Sequence, residues 1–179
     1  MLIILHGLPG VGKSTLAKRL SEKTGGIVLG TNYIRRIILG CNAFKCENVP
    51  LMPFTTTEIL LSYRVMLYCA EQLLNLGKTV ILDATFQKKL YIEMAKELAQ
   101  KTNHQIFIIK VVCNEEVCKE RLTEREKLRN SDSIVGYAHH VEVKEKIFEN
   151  YPEVNFTFDS SREEESQYQN LYQVLEKYL

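Results

Sequence analysis

Residues 7–14 run Gly7-Leu8-Pro9-Gly10-Val11-Gly12-Lys13-Ser14, a complete G-x-x-x-x-G-K-S string. The chemistry it predicts is capture of a nucleotide's phosphates. Glycines at these positions let several backbone N–H groups converge on one anion. A helix beginning at the end of the string adds its partial positive charge. In this pattern Gly10, Val11, Gly12 and Thr15 supply backbone donors, and Lys13 reaches the β- and γ-phosphates of a nucleoside triphosphate. The Ser14 hydroxyl holds Mg²⁺. A glycine-rich turn with a chance lysine is the bland alternative. The flanks tell against it: an apolar run, Leu2–Leu5 plus His6, enters the loop, and a helical pattern from Thr15 to Leu20 leaves it.

Asp83 is the second group of interest, closing the apolar run Val80-Ile81-Leu82. Ligands of parallel sheets sit at the carboxyl ends of the strands, where a carboxylate could hold a Mg²⁺-bound water or a substrate hydroxyl. Asp83 could equally cap the next helix. Arg121 and Arg125 lie four apart on one helical face, and Arg129 follows a turn later. Such cations stabilise a transferring phosphoryl group; interleaved with Glu120, Glu124 and Glu126, they could also be a solvated face. His6, His139 and His140 have no matched ligand spacing and read as solvated or core-rim residues. Tyr63, Tyr68, Phe107, Phe156 and Phe158 fall at core-like positions. The five cysteines read as free thiols, although Cys41/Cys46 and Cys113/Cys118 share a C-x₄-C spacing that could in principle hold zinc.

The elements that must position these groups alternate along the chain. Strands are predicted at Leu2–His6, Ile27–Leu29, Thr79–Leu82, Gln105–Val112 and Val154–Phe158. The first helix leaves the phosphate loop and ends near Gly25-Gly26. Others are predicted at Tyr33–Leu39, from a cap at Thr56 or Thr57 to Leu76, and at Lys88–Gln100, Glu115–Leu128, Tyr137–Asn150 and Glu163–Leu179. Strands separated by helices imply an α/β protein: a parallel sheet covered on both faces. With 179 residues, 45% hydrophobic and 25% charged, one soluble domain is expected. A net charge of +1 gives no footprint for a long nucleic-acid surface. No apolar stretch approaches a membrane span, and a phosphate loop at residue 7 leaves no room for a leader, so a cytoplasmic protein without a membrane partner is expected.

Three classes of phosphate-loop protein compete. A guanine-nucleotide switch needs N-K-x-D and D-x-x-G strings, and neither occurs. A mechanical ATPase needs an Asp-Glu pair after the third strand, where this chain has Asp83-Ala84, and an added helical domain. A small-molecule or nucleic-acid kinase fits the length.

Gly7–Leu20, followed by Val80-Ile81-Leu82-Asp83-Ala84-Thr85-Phe86, resembles the small phosphate-loop kinases. That group includes polynucleotide 5′-hydroxyl kinases, zeta-toxin-like kinases and seryl-tRNA kinases, often known only as AAA-family ATPases. Arg121-Leu122-x-x-Arg125 and Ser131-Asp132-Ser133 strengthen the likeness. The resemblance implies a three-layer α/β/α fold with five strands in the order 2-3-1-4-5. Asp83 would then lie close to Ser14, holding Mg²⁺ through water. It implies Arg125 or Arg129 as the charge stabiliser and Arg121 nearer the adenine or the α-phosphate. Relatives place an aspartate where Asn32 stands, and Arg35 would face the acceptor. Residues 31–57 would form the acceptor side and residues 125–137 a lid. The expected activity is ATP- and Mg²⁺-dependent transfer to a hydroxyl of a small molecule, a nucleoside or an RNA or tRNA end. An ATP-binding or ATP-hydrolysing accessory protein without an acceptor is the alternative.

Overall fold

The computed structural model describes residues 1–38, 55–128, 136–162 and 164–178. In chain order the elements are β1 (Leu2–His6), α1 (Lys13–Thr24), β2 (Ile27–Gly30), α2 (Thr31–Ile38), α3 (Thr56–Asn75), β3 (Val80–Asp83), α4 (Lys89–Lys101), β4 (Ile106–Val112), α5 (Glu115–Leu128), α6 (Tyr137–Lys146), β5 (Phe156–Asp159) and α7 (Glu165–Leu175). The five strands are parallel in the order β2-β3-β1-β4-β5.

The central strand β1 is apolar at four consecutive positions because both sheet faces are covered, so alternation disappears from its sequence. Its side chains still divide by parity. Leu2 and Ile4 join Val80, Leu82 and Ile108 under α3 and α4. Ile3 and Leu5 join Ile81, Phe107, Ile109 and Val111 under α1, α5 and α7. Two cores thus clamp the sheet, and the pairing of Leu5 with Asp83 sets β3 level with the start of the phosphate loop.

Several boundaries differ from the sequence expectation. The cap of α3 is Thr55: its hydroxyl accepts from the Glu58 amide while the Glu58 carboxylate accepts from the Thr55 amide. That Thr-x-x-Glu box outcompetes Thr56 and Thr57. The second helix starts at Thr31, two residues early. The sixth stops at Lys146, four residues before Asn150, because Phe148 turns inward and the Glu149 amide donates to the Gln87 carbonyl at 2.8 Å. The last helix spans Glu165–Leu175. Tyr68 is 64% exposed, away from the α3 face that buries Tyr63, Met66 and Ala70, so it is not core. Phe107, Phe158 and Tyr63 are buried as expected, and Phe156 is partly so. Among the described residues no helix is long and apolar enough to cross a membrane.

Candidate functional site

The site begins where β1 ends. Gly10 and Gly12 adopt left-handed backbone, with φ of 84° and 89°. Side chains are excluded there by space as well: a Cβ on Gly10 would press on Leu122 of α5, and one on Gly7 would collide with the Val111 carbonyl. Gly12 is the N-cap of α1 and offers no side-chain acceptor to the first-turn amides. Those donors stay open to an anion.

Lys13 is buried beside them. Its ammonium donates to the Gly7 carbonyl at 3.0 Å and the Leu8 carbonyl at 2.7 Å. Burial lowers its pKa to about 8, opposed by the nearby Asp83 charge and assisted by Arg125. Lys13, Asp83 and Arg125 are therefore within electrostatic reach of one another. Helix α4 starts at Lys89 with Lys88 as its N-cap, so Asp83 is not a helix cap. Ser14 is exposed at the first turn of α1. The hard oxygen donors of Ser14 and Asp83 suit Mg²⁺, which is commonly held by one or two carboxylates, substrate phosphates and water. Among the described residues no group of three or more His, Cys, Asp or Glu side chains could hold a metal. Cys41 and Cys46 lie outside the described residues, as does Arg129.

Arg121 donates to the Ser160 carbonyl at 2.9 Å and the Ser160 hydroxyl at 3.2 Å, which places it beside Gly12. Asn32 accepts from the Arg35 guanidinium at 2.5 Å. Burial lowers the Arg35 pKa, and the Tyr63 hydroxyl faces it electrostatically. Tyr63 in turn accepts the Phe86 amide at 2.8 Å and stacks on Tyr91 at 3.9 Å. Phe86 is fully buried with φ of 47°, a left-handed conformation rarely adopted by a bulky residue. This bond holds the turn that follows Asp83, and the Thr85 carbonyl receives the Gly7 amide at 3.3 Å. The turn after β3 and the phosphate loop are thus one hydrogen-bonded unit.

Two residues contribute more than their sequence suggested. His140 is buried, only 3% exposed, with Nδ1 at 2.7 Å from the Pro9 carbonyl. His139 stays at the surface near Glu142. Ser160, whose hydroxyl donates to the Val11 carbonyl at 2.7 Å, was missed. Its position just past β5, at the carboxyl rim, was the available signal.

His6 is 0% exposed and stacks on Phe148 at 5.0 Å. Neither ring nitrogen has a partner in hydrogen-bonding geometry. Burial first and Lys110 second lower its pKa to about 4, against a weaker pull from the Thr85 carbonyl. The unfolded chain therefore binds the extra proton between pH 6.5 and pH 4, so native stability falls as pH drops through that window. At 1.36 kcal/mol per unit the loss is about 3 kcal/mol. Urea midpoints at pH 7 and pH 4.5 should show it in the native chain. A His6→Phe variant should flatten the dependence; an unchanged slope would remove His6 as its source.

Comparison with known proteins agrees with this architecture. A family model described as an AAA domain matches residues 2–149. The uncharacterized protein Rv2004c of Mycobacterium tuberculosis is 30% identical over 126 residues, covering 69% of this chain and 25% of that protein. The chain thus spans about a quarter of the length of the curated relatives it matches. A candidate kinase of Chloroflexus aurantiacus superposes with a TM-score of 0.76 at 18% identity, over 99% of this chain and 97% of its own. The APS kinase CysC of M. tuberculosis, solved with AMPPNP and APS, gives 0.69 at 16% identity, covering 98% and 96%. Kti12 of Chaetomium thermophilum, solved with ADP-AlF3, gives 0.70 at 17%, covering 99% and 98%. The fold is that of the small phosphate-loop kinases, and the chain belongs to the AAA domain family.

Proposed function

We propose that the protein is a phosphotransferase, moving the γ-phosphate of ATP to a hydroxyl of a small molecule, a nucleoside or an RNA or tRNA end. The observation that carries this reading is the open amide cradle with Lys13 inside it and Asp83 within its electrostatic reach. Nucleotide-bound kinases among the structural neighbours support it at the level of fold.

In this scheme the amides of Gly10, Val11, Gly12, Ser14 and Thr15 bind the phosphate oxygens. Lys13 exchanges its two carbonyl partners for the β- and γ-phosphates. Ser14 and Asp83 would hold Mg²⁺, Asp83 through water, and the ion when bound would supply charge that neutralises the phosphates. Asp83 orients the acceptor hydroxyl or takes its proton. Arg125 stabilises charge on the transferring group, with Arg129 as the neighbouring candidate. Arg121, bonded to Ser160, supports the adenine or the α-phosphate. Arg35 and Asn32 form the acceptor side.

Arg125→Ala should lower turnover about 100-fold or more, since an arginine at a transferring phosphoryl group contributes at least that much. Affinity for ATP should change by less than about threefold. Separate measurement of kcat and of ATP binding checks this; reduced affinity with turnover intact would reassign the residue.

A second reading is favoured by Asn32. An amide is no base, and here its oxygen is engaged by Arg35. On that reading the protein binds or slowly hydrolyses ATP as an accessory factor. Incubation with γ-labelled ATP, pooled metabolites and total RNA separates the two. Label in an acceptor supports transfer, and label released only to water supports the accessory role. The cytoplasm is the proposed compartment.

A further inference from the structure

We propose that His140 and Ser160 are positioning residues of the anion cradle: each holds one loop carbonyl away from the ligand and so turns a glycine amide toward it. The inference rests on the nucleotide reading of the loop and adds the means by which the cradle is aimed.

A peptide group is planar, and in the trans form its C=O and N–H point in opposite directions. No peptide in the described chain is cis. The Pro9 carbonyl shares its plane with the Gly10 amide, and the Val11 carbonyl shares its plane with the Gly12 amide. Fixing either carbonyl therefore fixes the direction of a donor. His140 lies 2.7 Å from the Pro9 oxygen through Nδ1. A carbonyl only accepts, so Nδ1 carries the proton and donates. The Ser160 hydroxyl donates to the Val11 oxygen at 2.7 Å. Two carbonyls flanking Gly10 are thus pinned by separate elements, α6 and the turn after β5.

Both pins are themselves held. The His140 ring stacks against Tyr137, with centroids 5.7 Å apart and planes 13° from parallel. Tyr137 donates to Glu115 at 3.0 Å and Lys144 donates to the same carboxylate at 2.8 Å, which bolts α6 to α5. Cys118 lies beside the contact, its sulfur 3.5 Å from His140 Nδ1 and 3.9 Å from the Pro9 oxygen. Ser160 is held by Arg121 through two bonds. Glycine is needed at positions 10 and 12 because their φ values of 84° and 89° are left-handed. Glycine restricts its own φ little, which leaves these peptide planes more freedom than another residue would. The pins remove that freedom before the ligand arrives, so less ordering is left for binding to oppose.

The test uses the full chain with ADP as probe. His140→Leu fills the space without a donor, while His140→Asn places an amide N–H near the position of Nδ1. Ser160→Ala removes the second pin. His140→Leu and Ser160→Ala should each weaken ADP binding by about 5- to 12-fold, the upper half of the range for one net hydrogen bond. His140→Asn should return to within about threefold of the native value. ADP should shift the ¹⁵N–H resonances of Gly10 and Gly12 in the native chain. His140→Leu should diminish the Gly10 response more than that of Gly12, and Ser160→Ala should do the reverse.

If His140→Leu does not fold, Ser160→Ala carries the same test alone through the Gly12 resonance. Binding within twofold of native for the folded donor-less variants overturns the proposal. So does equal loss in His140→Leu and His140→Asn, which would make the ring a space filler, or an equal change at both glycines. A native chain that shows no ADP response would bring down the nucleotide reading and this inference together. A normal native response with unaffected variants brings down the inference only.

Discussion

Lys13→Met is expected to lower ATP turnover by about 10²- to 10⁴-fold and to weaken ADP binding severely. The ammonium is buried at the centre of the loop, and among the described residues no acidic side chain is hydrogen-bonded to it. On nucleotide arrival it would make two charge-assisted bonds, each worth about 1.5–3 kcal/mol. Their sum corresponds to two to four decades at 1.4 kcal/mol per decade. Methionine keeps the length and apolar stem, so the loss reports charge and not packing. The native protein gives an independent check. With the Lys13 pKa lowered to about 8 by burial, the group is charged at pH 7 and loses its proton as pH rises past 8. Affinity for ADP should therefore fall between pH 7.5 and pH 9. Turnover in Lys13→Met within threefold of native would remove the loop from the mechanism.

Asp83→Asn should lower turnover about 10²- to 10⁴-fold, the range of a lost general base. Binding of ADP without Mg²⁺ should be unchanged or tighter, because a negative charge near the phosphates is removed. The split between the two measurements is what identifies the residue's role. A parallel fall in Mg²⁺-free affinity would point to loop distortion, and native-like turnover would show that transfer does not pass through Asp83. The isosteric change leaves β3 intact, since Asp83 pairs with Leu5 and Gly30 through backbone register.

The parts of this molecule that were legible in the sequence are those whose signals are local. The phosphate loop, its entering strand and its leaving helix occupy the first 24 residues and reproduce the expectation. The α/β layering followed from alternating apolar runs, while the sheet order came from resemblance and is observed. The Thr55–Glu58 box was equally local and was simply passed over in favour of its neighbours.

What the sequence hid is non-local. The Pro9 carbonyl meets a residue 131 positions away, and the Val11 carbonyl one 149 away. His139 and His140 look alike in the string, yet adjacent helical residues point about 100° apart. One side chain therefore faces water and the other the loop. The Tyr63 ring was legible as core, but its hydroxyl's bond to the Phe86 amide depends on a turn that no propensity predicts.

That turn has a bearing on how freely the chain can vary. A phenylalanine that is fully enclosed and yet wound the unusual way cannot be exchanged on its own merits. Glycine would suit the winding and hollow out the core, whereas another large side chain would fill the space and rely on the same phenol to restrain it. Positions 63 and 86 thus act as one unit, and any redesign of the turn after β3 must carry both along or leave both alone.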